Sequence, residues 1–287
     1  MKKINVCVCA DDFGISDEVC EGILNLTEEK RISSISCMVK FESFSKYKDK
    51  LKKYNNSVDI GLHLVLTNTH VSDGEKKDKI IFSPFRLFLN SLFARITDEL
   101  IEFEIISQIE KFNRELGFYP NFIDGHHHVH QYPSINKLLI KIVKKMELEK
   151  KNEKIFWIRA THDSFLKIIR RNISIIKSIR ISLSGYFLKN NLQKQNIRFN
   201  NGFSGIYDFK DEYKLKFENF LKYVNSGHLI MVHPGYVSKK FHLSDKVNES
   251  REEEYKFLKS DDYLNLLEKN KCLLAPLSSI LKILDNE

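Results

Sequence analysis

Short apolar runs alternate with longer stretches of helical periodicity along almost the whole chain. Ile4–Ala10 is β-branched and apolar and reads as a strand. Val19, Ile23, Leu24 and Leu26 recur at helical spacing behind Ser16, a capping residue type, so Ser16–Lys30 reads as a helix. Ile35–Val39 and Val58–Leu66 read as the second and third strands, with a basic helix at Phe44–Tyr54 between them. Thr67–Phe85 is polar and breaks the pattern. A helix then spans Asp98–Leu116, ended by Gly117, followed by a strand at Asn121–Asp124, a helix at Ser134–Leu148 and a strand at Lys154–Arg159. His162–Leu188 is helical, irregular and very basic. Tyr213–Val224 reads as a helix, His228–Val232 as a strand, and Glu249–Leu258 and Asp262–Glu268 as helices. A strand at Cys272–Ala275 and a helix at Leu277–Leu284 close the chain.

Strand–helix alternation repeated this often builds a parallel sheet covered by helices. Strands buried on both faces are continuously apolar, as these are. The order and length suit a (β/α) barrel, regular or irregular, better than an open sheet. The expected organisation is one domain over 1–287, with the polar stretch 67–85 as an active-site loop, because a loop that long is usually functional.

Composition narrows the function classes. Among 287 residues, 42% are hydrophobic and 29% charged, which excludes disordered, collagenous and coiled-coil chains. No run approaches the ~18 apolar residues of a membrane span. The net charge is +8, but basic residues are spread along the chain and interleaved with acids, as in Glu75-Lys76-Lys77-Asp78-Lys79, so a nucleic-acid partner is not expected. The five cysteines are odd in number and show no CxxC spacing. Cys7 and Cys9 should share one face of a buried strand, and a reducing, cytoplasmic setting follows. Asp11-Asp12-Phe13-Gly14 stands where a dinucleotide fold would carry GxGxxG, which argues against a nicotinamide or flavin enzyme.

In a barrel the active site lies at the carboxyl ends of the strands. Titratable groups gather there: Asp11 and Asp12 after the first strand, His63 on the third, and Arg159 at the end of the fifth. Asp124-Gly125-His126-His127-His128-Val129-His130 follows the fourth, and His233-Pro234-Gly235-Tyr236 follows Leu229–Val232. Each has a plainer reading: the aspartates as helix caps, His63 as a core histidine, His233 as a turn residue, Arg159 as an ion-pair partner. Four histidines within five positions are not an accident in a chain holding 10. Histidine nitrogens with a carboxylate and an open position make a mononuclear hydrolytic metal site, in which water is activated at neutral pH. Asp11 and Asp12 are adjacent, so one can ligate while the other acts as base. If extended, the histidine run puts His126, His128 and His130 on one face; if helical, His126 and His130.

The segments Ala10-Asp11-Asp12-Phe13-Gly14, Gly61-Leu62-His63-Leu64-Val65-Leu66-Thr67, Asp124–His130 and His233-Pro234-Gly235-Tyr236 resemble those of the YdjC-like carbohydrate deacetylases, which include the chitooligosaccharide deacetylases. The resemblance spans nearly the whole chain. It implies a barrel related to the polysaccharide deacetylase fold and removal of an N-acetyl group from an amino sugar. One divalent ion, Mg2+ or Zn2+, would be held by Asp12, His63 and His126. Asp11 would be the general base and His233 the general acid, while Arg159, His128 and His130 would touch substrate. The implied partner is a small acetylated carbohydrate, with a homodimer as an allowed assembly. The basic stretch Thr161–Phe209 falls outside the resemblance and leaves substrate choice open.

Overall fold

The computed structural model describes residues 3–67, 83–92, 98–209, 212–237 and 247–286. Eight parallel strands run through the described residues: β1 (Ile4–Phe13), β2 (Ser34–Cys37), β3 (Asp59–Leu64), β4 (Phe122–Gly125), β5 (Trp157–Ile158), β6 (Phe203–Ser204), β7 (His228–Val232) and β8 (Cys272–Leu274). Their order is β5-β4-β3-β2-β1-β7-β6, and β8 pairs with the first residues of β1. The two ends of that order meet through the segment 198–204. Ile158 N donates to Arg198 O at 2.9 Å, the Asn200 amide bonds both backbone groups of Ala160 at 2.8 Å, and Phe203 pairs with Leu229. The fold is an irregular (β/α) barrel.

Helices α1 (Asp17–Glu28), α2 (Glu42–Lys52), α3 (Pro84–Leu92), α4 (Asp98–Leu116), α5 (Pro133–Met146) and α6 (Leu148–Lys151) cover one half. The other half carries α7 (Phe165–Arg171), α8 (Ile175–Lys194), α9 (Tyr213–Phe220), α10 (Asn248–Lys259), α11 (Asp261–Lys269) and α12 (Leu277–Leu284). Ser16 caps α1 as expected, its hydroxyl accepting from Val19 N at 3.3 Å. None of these helices is long and apolar enough to cross a membrane.

The period of two along each strand divides the core in two. Val6, Val8 and Ala10 face the helices, whereas Cys7 and Cys9 face the barrel interior with Phe122, Trp157, Phe203, Leu229 and Met231. Phe122 stacks on Trp157 with ring centroids 4.0 Å apart. Gly61 makes room for that pair: a Cβ there would stand 2.5 Å from the Phe122 ring. Below them, buried Asp59 accepts from Trp157 Nε1 at 3.1 Å, Ser278 N at 2.8 Å and Ser278 Oγ at 2.5 Å, so a β3 carboxylate caps α12 and closes the barrel floor. The interior is thus apolar in its lower layers, and polar side chains are left for the carboxyl end. All five cysteines are buried and unpaired.

Three expectations change. The strand expected at Lys154–Arg159 contracts to Trp157–Ile158. The helix expected over His162–Leu188 is two, α7 and α8, split at Asn172 and Ser174, whose φ values of 55° and 40° are left-handed and cannot continue a helix. Helix α3 falls within and beyond the expected loop, and only Leu87 and Ser91 of it are buried, too few to impose a periodicity. Residues 68–82 of that loop lie outside the described residues.

Candidate metal centre and active site

Two consecutive strand residues normally point to opposite faces. Here Ala10 pairs with Ile35 and Phe13 with Cys37, so Asp11 and Asp12 together oppose Ser36 alone: a β-bulge. Asp12 takes a left-handed φ of 69° within it. The bulge turns both carboxylates toward the barrel mouth, where both line one cavity. The cost of a left-handed aspartate is about 1 kcal/mol or more, held in place by the surrounding barrel.

Asp12, His63 and His126 each present one donor atom within 4.8 Å of the others. Asp12 Oδ1 lies 3.4 Å from His63 Nε2 and 3.3 Å from His126 Nδ1, and this buried oxygen has no hydrogen-bond partner. Asp12 Oδ2 is held by Arg251 at 2.7 Å. Burial works against the Asp12 charge, yet Arg251 and then the two histidines hold the carboxyl well below the usual range. Burial alone would lower His63, but Asp124 and Asp12 outweigh it and raise it to about 10, so the pocket favours a positive charge between these groups. His63 Nδ1 stands 2.6 Å from Asp124 Oδ1, the carboxylate–histidine arrangement that fixes a ligand ring. Two imidazoles and one carboxylate around an orphaned oxygen fit a divalent cation with nitrogen and oxygen ligands.

Asp11 sits beside this group, and Arg159 grips it with Nη1 and Nη2. Arg159 also reaches Asp124 Oδ2 at 2.6 Å. It is fully buried, and its guanidinium is committed to carboxylates and to Cys9 Sγ, so the substrate contact expected of Arg159 is replaced by an internal ion pair. Ser36 Oγ, 2.5 Å from Asp124 Oδ1 and 2.9 Å from His63 Nδ1, completes the network.

The histidine run adopts neither of the two conformations considered from the sequence. It is a 3-10 turn, His126–Gln131, with left-handed φ values of 54° at His127 and 57° at His128. The bend sends each ring elsewhere. His126 meets Asp12, His127 Nδ1 lies 3.0 Å from Thr67 Oγ1, and His128 packs edge-on against Phe203. His128 lines the cavity. His130, expected beside it, is not among the lining residues: it is fully buried behind the site, with Nε2 2.9 Å from the Arg159 carbonyl.

His233 lines the same cavity. Its loop is fixed by a close approach of backbones: a Cβ on Gly22 of α1 would stand 2.8 Å from Gly235 Cα, and Tyr236 N donates to Glu18 O. His233 N donates to Glu254 Oε2 at 2.6 Å, and Tyr207 donates to the other Glu254 oxygen. Burial pulls His233 down to about 4, against Asp12 and Asp11. Arg251 and Glu254, one helical turn apart on α10, thus hold Asp12 and His233 respectively. Sequence reading missed both, since in a charged amphipathic helix they look like surface residues.

The cavity holds about 910 Å³ above these groups. Its walls are Phe85 and Phe88 of α3, Tyr132, Ile206, Tyr207 and Phe209, and the face of α8 that carries Lys177, Arg180, Ile181 and Ser184. A volume of this size and apolar character suits a ligand of one to a few rings.

Carbohydrate deacetylases from Brevibacillus brevis and Clostridium beijerinckii are 33% and 30% identical to the chain over 143 and 135 residues. Each alignment covers 47% of this chain and 54% of the relative, so the chain spans about half the length of the curated relatives it matches. A crystal structure of a proposed cellobiose-phosphate cleavage protein from Enterococcus faecalis V583 shares the fold, with a TM-score of 0.68 at 18% identity, covering 97% of this chain and 99% of that one. The model of a family described as YdjC-like protein matches residues 5–269, and the chain therefore belongs to the YdjC-like family.

Proposed function

We propose that the chain is a metal-dependent hydrolase that removes the N-acetyl group from an acetylated amino sugar or oligosaccharide. The observation that carries this reading is the convergence of Asp12, His63 and His126 on one unpartnered carboxylate oxygen, beside a second carboxylate, at the base of an open cavity. Relatives named carbohydrate deacetylase support the substrate class.

Asp12, His63 and His126 are the residues that would hold the ion. A divalent ion bound there supplies a Lewis acid for the acetamide carbonyl and for water. The donor set favours zinc, cobalt or nickel over magnesium by ligand softness. Asp11 accepts the proton of the attacking water, oriented by its two hydrogen bonds from Arg159. Asp124 keeps His63 Nδ1 engaged and its Nε2 turned toward the site. His233 gives a proton to the amine as the C–N bond breaks, so acetate and the free amino sugar are the products. The aromatic walls offer faces for pyranose rings, and His128 is within the cavity to touch the sugar.

The test is acetate release from an N-acetylated chitooligosaccharide by the metal-loaded protein, paired with metal analysis of the purified chain. Release that needs one equivalent of divalent metal supports the reading. One bound equivalent with no release from any acetylated amino sugar would point to another mononuclear hydrolysis.

A further inference from the structure

We propose that the outward face of the α7–α8 hairpin docks on an anionic phospholipid surface. The proposal is independent of the chemistry at the metal centre.

Helix α8 is inverted over its first three turns. Its buried face is largely small and polar, with Ser178, Ser182 and Gly185 against the barrel; a Cβ on Gly185 would stand 2.6 Å from His162 N. Leu188 and Leu192 pack inward in its last turns, but other large apolar side chains point the other way. Ile176, Leu183 and Phe187, spaced seven and four apart and hence on one face, are 78%, 58% and 57% exposed. Helix α7 adds Phe165 at 58% and Leu166 at 62%. Its start is held against the middle of α8 by Asp163 N and O bonding Ser182 Oγ, and His162 touches the Tyr186 ring. Aligned apolar residues exposed at this density mark an interaction surface.

Charge selects the occupant. From Ser164 to Tyr207 the sequence has eight Lys and Arg and no Asp or Glu. The rest of the chain carries 38 of each sign, so the whole net charge of +8 resides in this segment. Arg171 is spent on Asp163, Arg198 on Asp285 and Lys177 on the Tyr207 carbonyl, and Lys189 lies over the Phe199 ring, which leaves Lys167, Arg170, Arg180 and Lys194 on the two helices. Aliphatic side chains flanked by cations match an anionic membrane interface, where the apolar stripe enters the acyl boundary and the cations meet phosphates. Nucleic acid would use the cations but offers nothing to Ile176 and Leu183. The adjoining flank of α8 lines the cavity with Lys177, Arg180 and Ser184, so docking brings the cavity wall to the headgroup layer.

The test is sedimentation of the full chain with vesicles of phosphatidylglycerol and phosphatidylcholine, against pure phosphatidylcholine. Binding is expected to the first only, and to fall about tenfold or more between 0.1 and 0.5 M salt as headgroup attraction is screened. Leu183→Glu/Phe187→Glu should abolish it with an unchanged near-ultraviolet circular dichroism spectrum and melting temperature. Wild-type protein that ignores anionic vesicles overturns the proposal. So does a double variant that binds as well as wild type. If wild type ignores vesicles and the double variant converts a dimer to a monomer, the face is instead an interface between copies of this chain.

Discussion

Arg159 Nη1 and Nη2 each stand 2.6 Å from one oxygen of Asp11, a two-pronged pair with both side chains buried. The same guanidinium holds Asp124, and Asp124 holds His63. One buried cation therefore balances two carboxylates, one on β1 and one on β4. Arg159→Leu strands Asp11 and leaves Asp124 only Ser36 and His63, and should lower the unfolding free energy by about 3–5 kcal/mol in chemical denaturation. Arg159→Lys keeps the charge but not the fork, and should lose less. A Leu variant as stable as wild type would contradict this account of the network.

The ligand set separates neighbouring histidines. His63→Ala and His126→Ala should each abolish stoichiometric binding of a divalent metal, while His127→Ala, whose ring is turned to Thr67, should retain one equivalent. Metal analysis after dialysis decides it, and one retained equivalent in either of the first two would remove that residue from the set.

Asp11 and Asp12 share a bulge but not a role. Asp11→Asn should keep the metal and slow turnover by about 10²–10⁴-fold, the usual worth of a general base. Asp12→Asn should lose metal affinity first. Isothermal titration alongside steady-state rates distinguishes them, and metal lost only in the Asp11 variant would exchange the assignments.

His233 rests neutral at pH 7, held down to about 4 by burial, so it must take up a proton in the substrate complex before donating one. An amine needs that proton to leave; an activated phenolate does not. His233→Ala should therefore lose far more activity on an N-acetyl sugar than on an aryl acetate, with metal content unchanged. Equal losses on both substrates would assign His233 to oxyanion binding or to structure.

His130 makes acid stability a measurable property of the site. Burial lowers it to about 4, against the pull of Asp124 and the Arg159 carbonyl, so the folded protein holds it neutral while the unfolded chain protonates it near 6.5. The unfolded state then binds more protons between these values, and stability falls as pH drops from about 6.5 to about 4, by up to about 3 kcal/mol from this group. His130→Asn should flatten the denaturation midpoint across that window; a profile as steep as wild type would assign the dependence to other groups.

The chemistry-bearing segments could be read along the chain because each is local: an apolar run, then polar residues where the strand ends. Hydrophobic periodicity alone yields Asp98–Leu116, His228–Val232 and Leu277–Leu284 with the bounds seen in the fold. Strands of two residues, such as β5 and β6, leave no such trace, since they are defined by their neighbours' backbones. The directions of side chains were also beyond the sequence. Only a bulge against Ser36 sends Asp11 and Asp12 to the same face, and only two left-handed residues send His126 to Asp12 and leave His130 behind the site. Arg159 reads as a mouth residue because it follows a strand, yet the fold draws it inward to neutralise two buried carboxylates. Arg251 and Glu254 lie 239 and 21 residues from the groups they hold, a pairing no local pattern encodes. Residue types and their order along the strands are properties of the chain; which charges meet, and which face water, is decided when the barrel closes and burial makes every unpaired charge costly.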